Sequence, residues 1–320
     1  MIRLFGDRRS LLDSAGTLLG LILVAAIFGL LIGGQFFAPA NIELMARQTA
    51  IVCTAALGMT IVIALGGIDL SVGSMISLGT VVIALLLQQG VSPIGAALGG
   101  IFAVGACGLL NGVLITQLRL VPFIITLGTM LVIRGAAKGL AEERRIEAPM
   151  TWLNDLLRTQ SGQLRLPGGI WTVIVLALLV AGLLRYTRFG RHVLAIGSNE
   201  RMARLCGVPI AWTKIVVYAL SGLLTGVAGL LQFSKLAVGD PTVAVGLELD
   251  VIAAVIIGGG SLLGGRGSVA GTVMGAGIMA IIQVGCTQKG LASWVQQIVT
   301  GTIIIVAVAL DRVRAGRNVP

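Results

Sequence analysis

Charged side chains are scarce in this chain of 320 residues, where they make up 11% of the sequence. An ordinary soluble domain contains about 25% charged residues. Aromatic residues amount to 4%, and there is a single histidine, His192. The four cysteines have no metal-binding spacing, and the sequence contains no phosphate-binding loop and no nucleophile motif. These absences argue against a metalloenzyme, an ATPase and an acid–base catalyst, so we expect neither an enzyme nor a cofactor bound by this chain.

Long apolar runs take the place of the missing charges. Hydrophobic residues make up 56% of the chain, and its mean hydropathy is +1.01. A transmembrane helix needs roughly 20 apolar residues. About ten runs approach that length: 17–37, 50–68, 70–89, 93–117, 122–140, 170–185, 212–233, 249–264, 268–287 and 293–310. Because backbone in lipid must satisfy its hydrogen bonds within each segment, the runs predict an all-α membrane protein, a polytopic bundle of about ten transmembrane helices in one domain, 1–320. The 46 glycines are typical of membrane helices that pack closely.

Basic residues predict the orientation of this bundle. If the N-terminus is cytoplasmic, ten spans place both termini in the cytoplasm, and most Lys and Arg residues outside the spans then lie on the cytoplasmic side. This topology gives a short cytoplasmic N-terminal segment, 1–16, a cytoplasmic loop, 186–211, and a periplasmic loop, 141–169. The net charge of +10 is then mainly a signal of topology. Nucleic-acid binding is the weaker interpretation, because the basic residues are scattered and have no aromatic platform.

Two glycine-rich breaks interrupt the apolar runs. They are GGIDLSVGS at 66–74 and GGGSLLGGRGS at 258–268. In both, paired glycines precede a polar residue and a leucine, so that Asp69 matches Ser261. This is a weak sign of an internal repeat, of the kind in which transporters place broken helices, and both a parallel and an inverted repeat are compatible with it. We predict that the translocation pathway or its gate involves Gly66, Gly67, Asp69, Ser71, Asn111, Gly258, Gly259 and Ser261.

Single polar residues in the apolar runs can have either a structural role or a role in the pathway. Asp69 either lines a polar pathway or caps the helix that follows it, and at a membrane edge its charge is not costly. Asn111 and Gln283 are expected to form interhelical hydrogen bonds rather than to contact a substrate. Arg134 and Lys138 lie one turn apart near the outer end of a span, where we expect them to reach the lipid headgroups.

The segment 185–214 concentrates six basic residues and contains its own helix signals. Asn199 can cap a first helical turn, and Glu200 stands four residues before Arg204, the favourable order for an ion pair. Gly207, with a proline two residues further on, is a helix stop. A short solvated helix between two spans buries little by itself, so we expect it to dock on a soluble partner.

Three motifs, by their order and spacing, resemble the permease subunits of bacterial ribose-type ABC importers, within the branched-chain amino acid/ribose permease superfamily. They are GGIDLSVGS at 66–74, FGRHVLAIGSNERMARLCGVP at 189–209 and IGGGSLLGGRGSVAGTVMGA at 257–276, and the resemblance covers nearly the whole chain. It implies a multi-pass protein of the bacterial cytoplasmic (inner) membrane that works with a second permease copy, identical or a sister chain. A cytoplasmic ABC ATPase, which binds ATP and Mg, and a periplasmic sugar-binding protein are the other implied partners. The resemblance also implies that the ATPase is coupled through Gly197, Ser198, Asn199, Glu200, Ala203, Arg204, Leu205, Gly207 and Val208.

The expected function is import of a monosaccharide or related small polyol by alternating access, driven by the partner ATPase. The loop 141–169 departs from the ribose pattern, which argues against assigning ribose itself. A chain of intramembrane carboxylates, which would indicate proton coupling, is missing, but a secondary transporter or channel remains an alternative. A branched-chain amino acid permease is a second alternative, although its zwitterionic substrate would require charge partners or exposed half-helix ends. A membrane-bound enzyme is the most remote hypothesis.

Overall fold

The computed structural model describes residues 6–158 and 167–316, and the chain in these ranges is almost entirely helical. Twelve α-helices follow one another in this described part: α1 (Gly6–Ile32), α2 (Pro39–Ala64), α3 (Val72–Gln88), α4 (Pro93–Leu118), α5 (Pro122–Leu140), α6 (Gly168–Tyr186), α7 (Arg188–Ser198), α8 (Glu200–Leu205), α9 (Ile210–Leu236), α10 (Leu247–Ile257), α11 (Val269–Gln288) and α12 (Ser293–Gly316). Short 3₁₀ helices lie at Gly34–Phe37 and Trp152–Asp155, and two-residue strands at Ile146–Glu147 (β1) and Val238–Gly239 (β2).

The helices follow the apolar runs of the sequence. Each of the ten runs overlaps one helix, namely α1 to α6 and α9 to α12. Within the described residues, six helices are long and apolar enough to cross a membrane: α2, α4, α5, α6, α9 and α11. The protein is therefore an all-α, multi-pass membrane protein.

One run does not form a helix of the expected length. The apolar run 249–264 contains only α10, which has 11 residues and therefore extends about 16 Å, roughly half the hydrocarbon thickness of a bilayer. The helix ends at Ile257 because the following glycines turn the chain back. Gly259 has a φ of 90°, and the backbone amide of Gly260 donates to the carbonyl oxygen of Val255.

Helix α2 forms the centre of the bundle. Its residues from Ala50 to Ala64 are all buried, and α9, α11, α10 and α6 pack around it. A helix that is apolar on every side lies either in the core of a protein or in lipid, and over these residues α2 is covered by other helices. This position places the loop that follows α2, which contains the first glycine-rich break, among several other elements.

Glycines allow the most extensive helix contact, between α4 and α9, as the composition predicts. A Cβ atom added to Gly108 would lie 2.8 Å from the Cα atom of Gly222, and one added to Gly226 would lie 2.8 Å from the Cα atom of Ile101. No real side chain tolerates these distances, so the two backbones approach this closely only because the residues are small.

The loop between α5 and α6 is attached to the end of α9. Strand β1 pairs with β2 in antiparallel register, with Ile146 opposite Gly239. The Arg145 Nε atom lies 2.9 Å from Asp240 Oδ2, and Leu153 is fully buried. Asp155 and Arg158 form a local ion pair. The loop is therefore packed on the bundle over its first part, while residues 159–166 of the predicted 141–169 loop lie outside the described residues.

Candidate functional site

The segment between α6 and α9 forms two consecutive capped helices. Helix α7 begins after Thr187, whose side-chain oxygen accepts a hydrogen bond from the Gly190 amide at 3.0 Å. Asn199 ends α7, and its side-chain oxygen accepts from the Met202 amide at 3.0 Å, which caps α8. The predicted Asn199 cap is thus present. The sequence did not predict α7 as a separate helix.

Glu200 attaches α8 to the helix that follows it. Its Oε1 atom lies 3.2 Å from Arg204, which confirms the predicted ion pair, and its Oε2 atom accepts from Lys214 Nζ at 2.8 Å. Burial raises the pKa of this carboxyl, but the hydrogen bonds and charges of Lys214 and Arg204 outweigh the burial and hold the pKa below its usual value of 4.5. The carboxylate is therefore charged at neutral pH and bridges α8 to α9.

The outer surface of α8 is exposed and partly apolar. Leu205 is 80% exposed and Met202 is 56% exposed, while Ala203 is buried and holds the helix on the bundle. Gly207, with a φ of 78°, ends the element as predicted. Two large, exposed apolar side chains on a six-residue helix are typical of a surface that a partner covers.

A cleft of about 710 Å³ separates α8 from the turn between α4 and α5. Its wall on one side is Arg119–Pro122, and on the other Glu200, Arg204 and Lys214. The lining combines charged side chains of both signs with apolar ones such as Ile115 and Leu120.

Gly197, in the last turn of α7, lies against the loops after α2 and α10. A Cβ atom on Gly197 would lie 2.0 Å from the Ala64 carbonyl oxygen and 2.6 Å from the Gly265 amide nitrogen. These two groups form a hydrogen bond with each other at 2.9 Å. A Cβ atom on Gly66 would lie 3.7 Å from the Gly197 Cα atom and 4.0 Å from that of Gly264. We name Ala64, Gly66, Gly197, Gly264 and Gly265 the glycine junction.

The glycine junction brings the two glycine-rich breaks together beside the predicted coupling segment. Other predicted gate residues are packed nearby without open space. A Cβ atom on Gly67 would lie 2.5 Å from the Tyr218 hydroxyl, and one on Gly258 would lie 2.4 Å from the carbonyl carbon of Gly271. Gly259 adopts a left-handed φ of 90°, and Ser261 is buried. Both breaks are therefore closely packed at these positions.

Asp69 is buried in the interior of the bundle. It is 0% exposed, and its Oδ1 atom accepts from the amide and the hydroxyl of Ser71, at 2.9 and 2.5 Å. Asn111 on α4 donates to the same hydroxyl at 2.9 Å. The geometry is that of a turn before α3, which begins at Val72. Asn111 forms the expected interhelical hydrogen bond.

Three oxygens in this region retain unused hydrogen-bonding capacity. Among the described residues, Asp69 Oδ2, Asn111 Oδ1 and the Tyr218 hydroxyl are buried without a hydrogen-bond partner. A buried polar atom without a partner costs about 1–3 kcal/mol. Native proteins retain such groups mainly where a water or a ligand uses them in another state.

Arg134 has partners within the protein that the sequence did not indicate. Its Nη1 atom donates to the carbonyl oxygens of Pro241, at 3.2 Å, and Val243, at 2.7 Å. Both acceptors lie more than one hundred residues away in sequence, so no local pattern could have indicated the contact. Lys138, one turn along α5, is exposed.

A hydrogen-bond chain across four helices was also not predicted as a unit. Lys235 Nζ donates to Gln48 Oε1 at 2.6 Å, and Gln48 Nε2 donates to Gln283 Oε1 at 2.7 Å. Gln283 in turn donates to Asp250. The expected interhelical role of Gln283 is confirmed, and the chain connects α9, α2, α11 and α10 through one lysine and one carboxylate.

Comparisons with known proteins agree with this architecture. The family model described as "Branched-chain amino acid transport system / permease component" matches residues 41–308. The ribose import permease protein RbsC of Bacillus subtilis (strain 168) is 37% identical over 301 residues, which cover 94% of this chain and 93% of that protein. The L-arabinose ABC transporter permease protein AraH of Azospirillum brasilense is 35% identical, covering 96% and 90%. The fructose import permease protein FrcC of Rhizobium meliloti is 33% identical, covering 93% and 85%.

These similarities extend over almost the full length of both partners in each comparison and include the spans, the glycine-rich breaks and the α7–α8 segment. The chain therefore belongs to the family of branched-chain amino acid transport system permease components, as a multi-pass membrane permease.

Proposed function

We propose that this chain is the transmembrane permease subunit of an ABC importer that carries a monosaccharide or related small polyol across the bacterial cytoplasmic membrane. The observation that carries the proposal is the position of α7 and α8. The exposed apolar face of α8 is free to meet a soluble partner, while Gly197 at the end of α7 touches both glycine-rich breaks. The α7–α8 segment is thus accessible from outside the bundle through α8 and in van der Waals contact with the candidate gate through α7.

The energy source in this proposal is a cytoplasmic ABC ATPase, which binds ATP and Mg. Its groove would hold the face of α8 that contains Met202 and Leu205. A movement of α7 is transmitted to the end of α2 and to the loop after α10, because the glycine junction leaves no space for independent motion. Packed interfaces of this kind switch between discrete arrangements, which is the requirement for alternating access.

The substrate class is supported by the relatives and by the interior of the protein. Relatives at 37%, 35% and 33% identity are named for ribose, L-arabinose and fructose, so we propose a monosaccharide without naming one. The unpartnered oxygens around Asp69, Asn111 and Tyr218 suit a neutral ligand rich in hydroxyl groups. A periplasmic sugar-binding protein and a second permease copy, identical or a sister chain, complete the proposed assembly.

Reconstitution tests the proposal. The permease, its ATPase and the loaded binding protein are placed in proteoliposomes, and uptake of labelled pentoses and hexoses is measured with ATP and with a non-hydrolysable analogue. We expect uptake only with ATP. Uptake that follows an ion gradient without the ATPase would instead support a secondary transporter, and uptake of leucine but no sugar would support the amino acid permease.

Two variants test the role of α8 in the same assay. Proline requires a φ near −65°, so Gly207→Pro cannot keep the left-handed turn after α8. Arg204→Glu places a like charge beside Glu200. We expect both to lower uptake per ATP hydrolysed while membrane insertion stays normal. Lys289→Glu, an exposed charge reversal at the far end of α11, is the matched control.

A further inference from the structure

The chain between α9 and α10 contains a further non-helical segment, residues 239–246, which consists mainly of consecutive turns and which no glycine motif marked. It runs along a face of α3 that carries small residues at helical spacing: Gly73, Ser77, Thr80 and Ala84. A Cβ atom on Gly73 would lie 2.4 Å from the Ala244 carbonyl oxygen, and one on Gly239 would lie 2.7 Å from the Ala84 Cβ atom. The backbone of this segment lies this close to α3 only because the residues at the contact are small.

The polar groups of this segment are satisfied by side chains of α3 and α5. The Asp240 carbonyl oxygen accepts from Ser77 Oγ at 3.1 Å, and the Asp240 amide donates to Thr80 Oγ1 at 3.2 Å. Arg134 supplies the donors for the Pro241 and Val243 carbonyls. Non-helical backbone at membrane depth is tolerated only when protein groups replace the missing helical hydrogen bonds. Arg134 therefore supplies these carbonyl oxygens with the donors that the amides of the following turn supply in a helix.

The 239–246 segment has the same turn as the 65–71 segment before α3. Asp240 Oδ1 accepts from the Thr242 amide at 2.8 Å and the Thr242 hydroxyl at 2.6 Å. Asp69 forms the corresponding two bonds with Ser71. Each turn follows a long central helix, α9 or α2, and precedes a shorter one, α10 or α3. The structural counterpart of the 65–71 segment is thus 239–246.

Helix α5 contacts both segments. Thr126 Oγ1 donates to the Ile68 carbonyl oxygen at 3.1 Å, eight residues before the Arg134 contacts with the other segment. Eight helical residues span about 12 Å, so the two anchor points lie at different depths. Partial burial disfavours the charge of Arg134, and the carboxylates of Glu248 and Asp240 offset only part of that cost.

We propose that Arg134 is a positioning residue of the transport cycle, whose guanidinium holds the 239–246 segment against α3 as one of two gates that α5 connects. This inference rests on the transport function proposed above. Thr126 holds the other gate, the 65–71 segment, from the same helix. Movement of α5 past either segment requires these carbonyl contacts to break and reform, so the two gates respond to one rigid element.

The role of Arg134 can be tested by the accessibility of a cysteine placed on α3 beneath the 239–246 segment. This experiment needs no sugar, ATP or partner protein. Val81→Cys places a thiol on α3 at a fully buried position, since the Val81 Cα atom lies 3.2 Å from the site of a Cβ on Gly239. The rate of maleimide labelling at residue 81 is measured by peptide mass spectrometry, which separates it from the native cysteines. Arg134→Gln is expected to raise this rate roughly tenfold or more, because it removes two hydrogen bonds from a charged donor.

Lys138→Gln is the matched control, a cation removed one turn away on the same helix, and we expect no change in labelling. Arg134→Lys keeps the charge with a shorter reach and should give an intermediate rate. If Arg134→Gln does not fold, the Arg134→Lys rate decides the question, and an unchanged rate overturns the proposal. Equal labelling in Arg134→Gln and the parent, or an equal rise with Lys138→Gln, also overturns it.

A second measurement separates positioning from a merely structural role. In the reconstituted importer, Arg134→Gln is expected to lower sugar uptake per ATP hydrolysed, with ATP hydrolysis maintained. A proportional loss of both activities contradicts a positioning role. Because the labelling experiment needs no transport, a failure of the proposed transport function and a failure of the Arg134 assignment give different results.

Discussion

Adding a single methyl group at Gly197 tests the mechanical connection between α7 and the helix breaks. In Gly197→Ala the new Cβ atom would lie 2.0 Å from the Ala64 carbonyl oxygen and 2.6 Å from the Gly265 amide nitrogen. Both contacts are with backbone, which cannot rotate away as a side chain can. The clash is relieved only if α7 withdraws from the loops after α2 and α10, or if those loops separate.

The expected cost follows from two contributions. Forcing an extra methyl group into a closely packed site costs about 1–3 kcal/mol. Separating Ala64 from Gly265 also loses their hydrogen bond, a further 0.5–1.5 kcal/mol or so. We therefore expect the native state to lose about 1.5–4.5 kcal/mol in Gly197→Ala.

The matched control is Gly182→Ala in α6, where a Cβ atom would meet nothing within 4 Å. Both variants change the unfolded chain in the same way, so their difference reports the folded state. Thermal unfolding in detergent, followed by size-exclusion chromatography, should show a lower transition temperature for Gly197→Ala only. ATP-driven uptake should fall in the same variant. If Gly197→Ala matches Gly182→Ala in stability and uptake, the glycine junction does not transmit motion and the reasoning is refuted.

The remaining predictions concern α8 and the polar chain in the bundle. Asn199→Ala removes the cap of α8 and should cost about 1 kcal/mol, whereas Asn199→Asp should keep it; limited proteolysis of the α7–α8 segment distinguishes the two. Because the pKa of Glu200 is held below 4.5, its contribution to stability is complete above that pH and is lost as the pH falls through the lowered pKa. The stability difference between wild type and Glu200→Gln should therefore shrink at acidic pH, and a difference independent of pH would contradict the assignment. Gln283→Leu leaves the Asp250 and Gln48 side chains without their shared partner and should destabilise the protein by about 1–3 kcal/mol, measured by thermal unfolding; an unchanged transition would show that the chain of hydrogen bonds has no energetic role.

Local signals in the sequence were reliable for the helices and for α8. The apolar runs located ten helices because a span is defined by composition over about twenty consecutive residues. The Asn199 cap and the Glu200–Arg204 pair were predictable because both join residues three or four apart. The length of α10 was not predictable, because the run 249–264 stays apolar through the glycines that turn the chain at Gly259.

Contacts between distant residues could not be read from the sequence. The glycine-rich breaks were recognised, but their meeting with Gly197 depends on how three separate helices pack. The 239–246 segment lies between two apolar runs and lacks the paired glycines of the two breaks, so the sequence analysis did not single it out. One signal was available there, because Asp240-Pro-Thr242 repeats the Asp-X-Ser/Thr pattern of Asp69-Leu-Ser71. Arg134 lacked any such signal, since its partners are fixed only by the tertiary fold.

The account depends on α8 facing the cytoplasm, where an ATPase can reach it. Cys206, directly after α8, is exposed, whereas Cys53 and Cys286 are buried and Cys107 is half-buried. Labelling with a membrane-impermeant maleimide in spheroplasts and in inside-out vesicles, with Cys206→Ser to assign the signal, measures its side directly. We predict labelling of Cys206 in inside-out vesicles and none in spheroplasts, and labelling in intact spheroplasts would contradict the account.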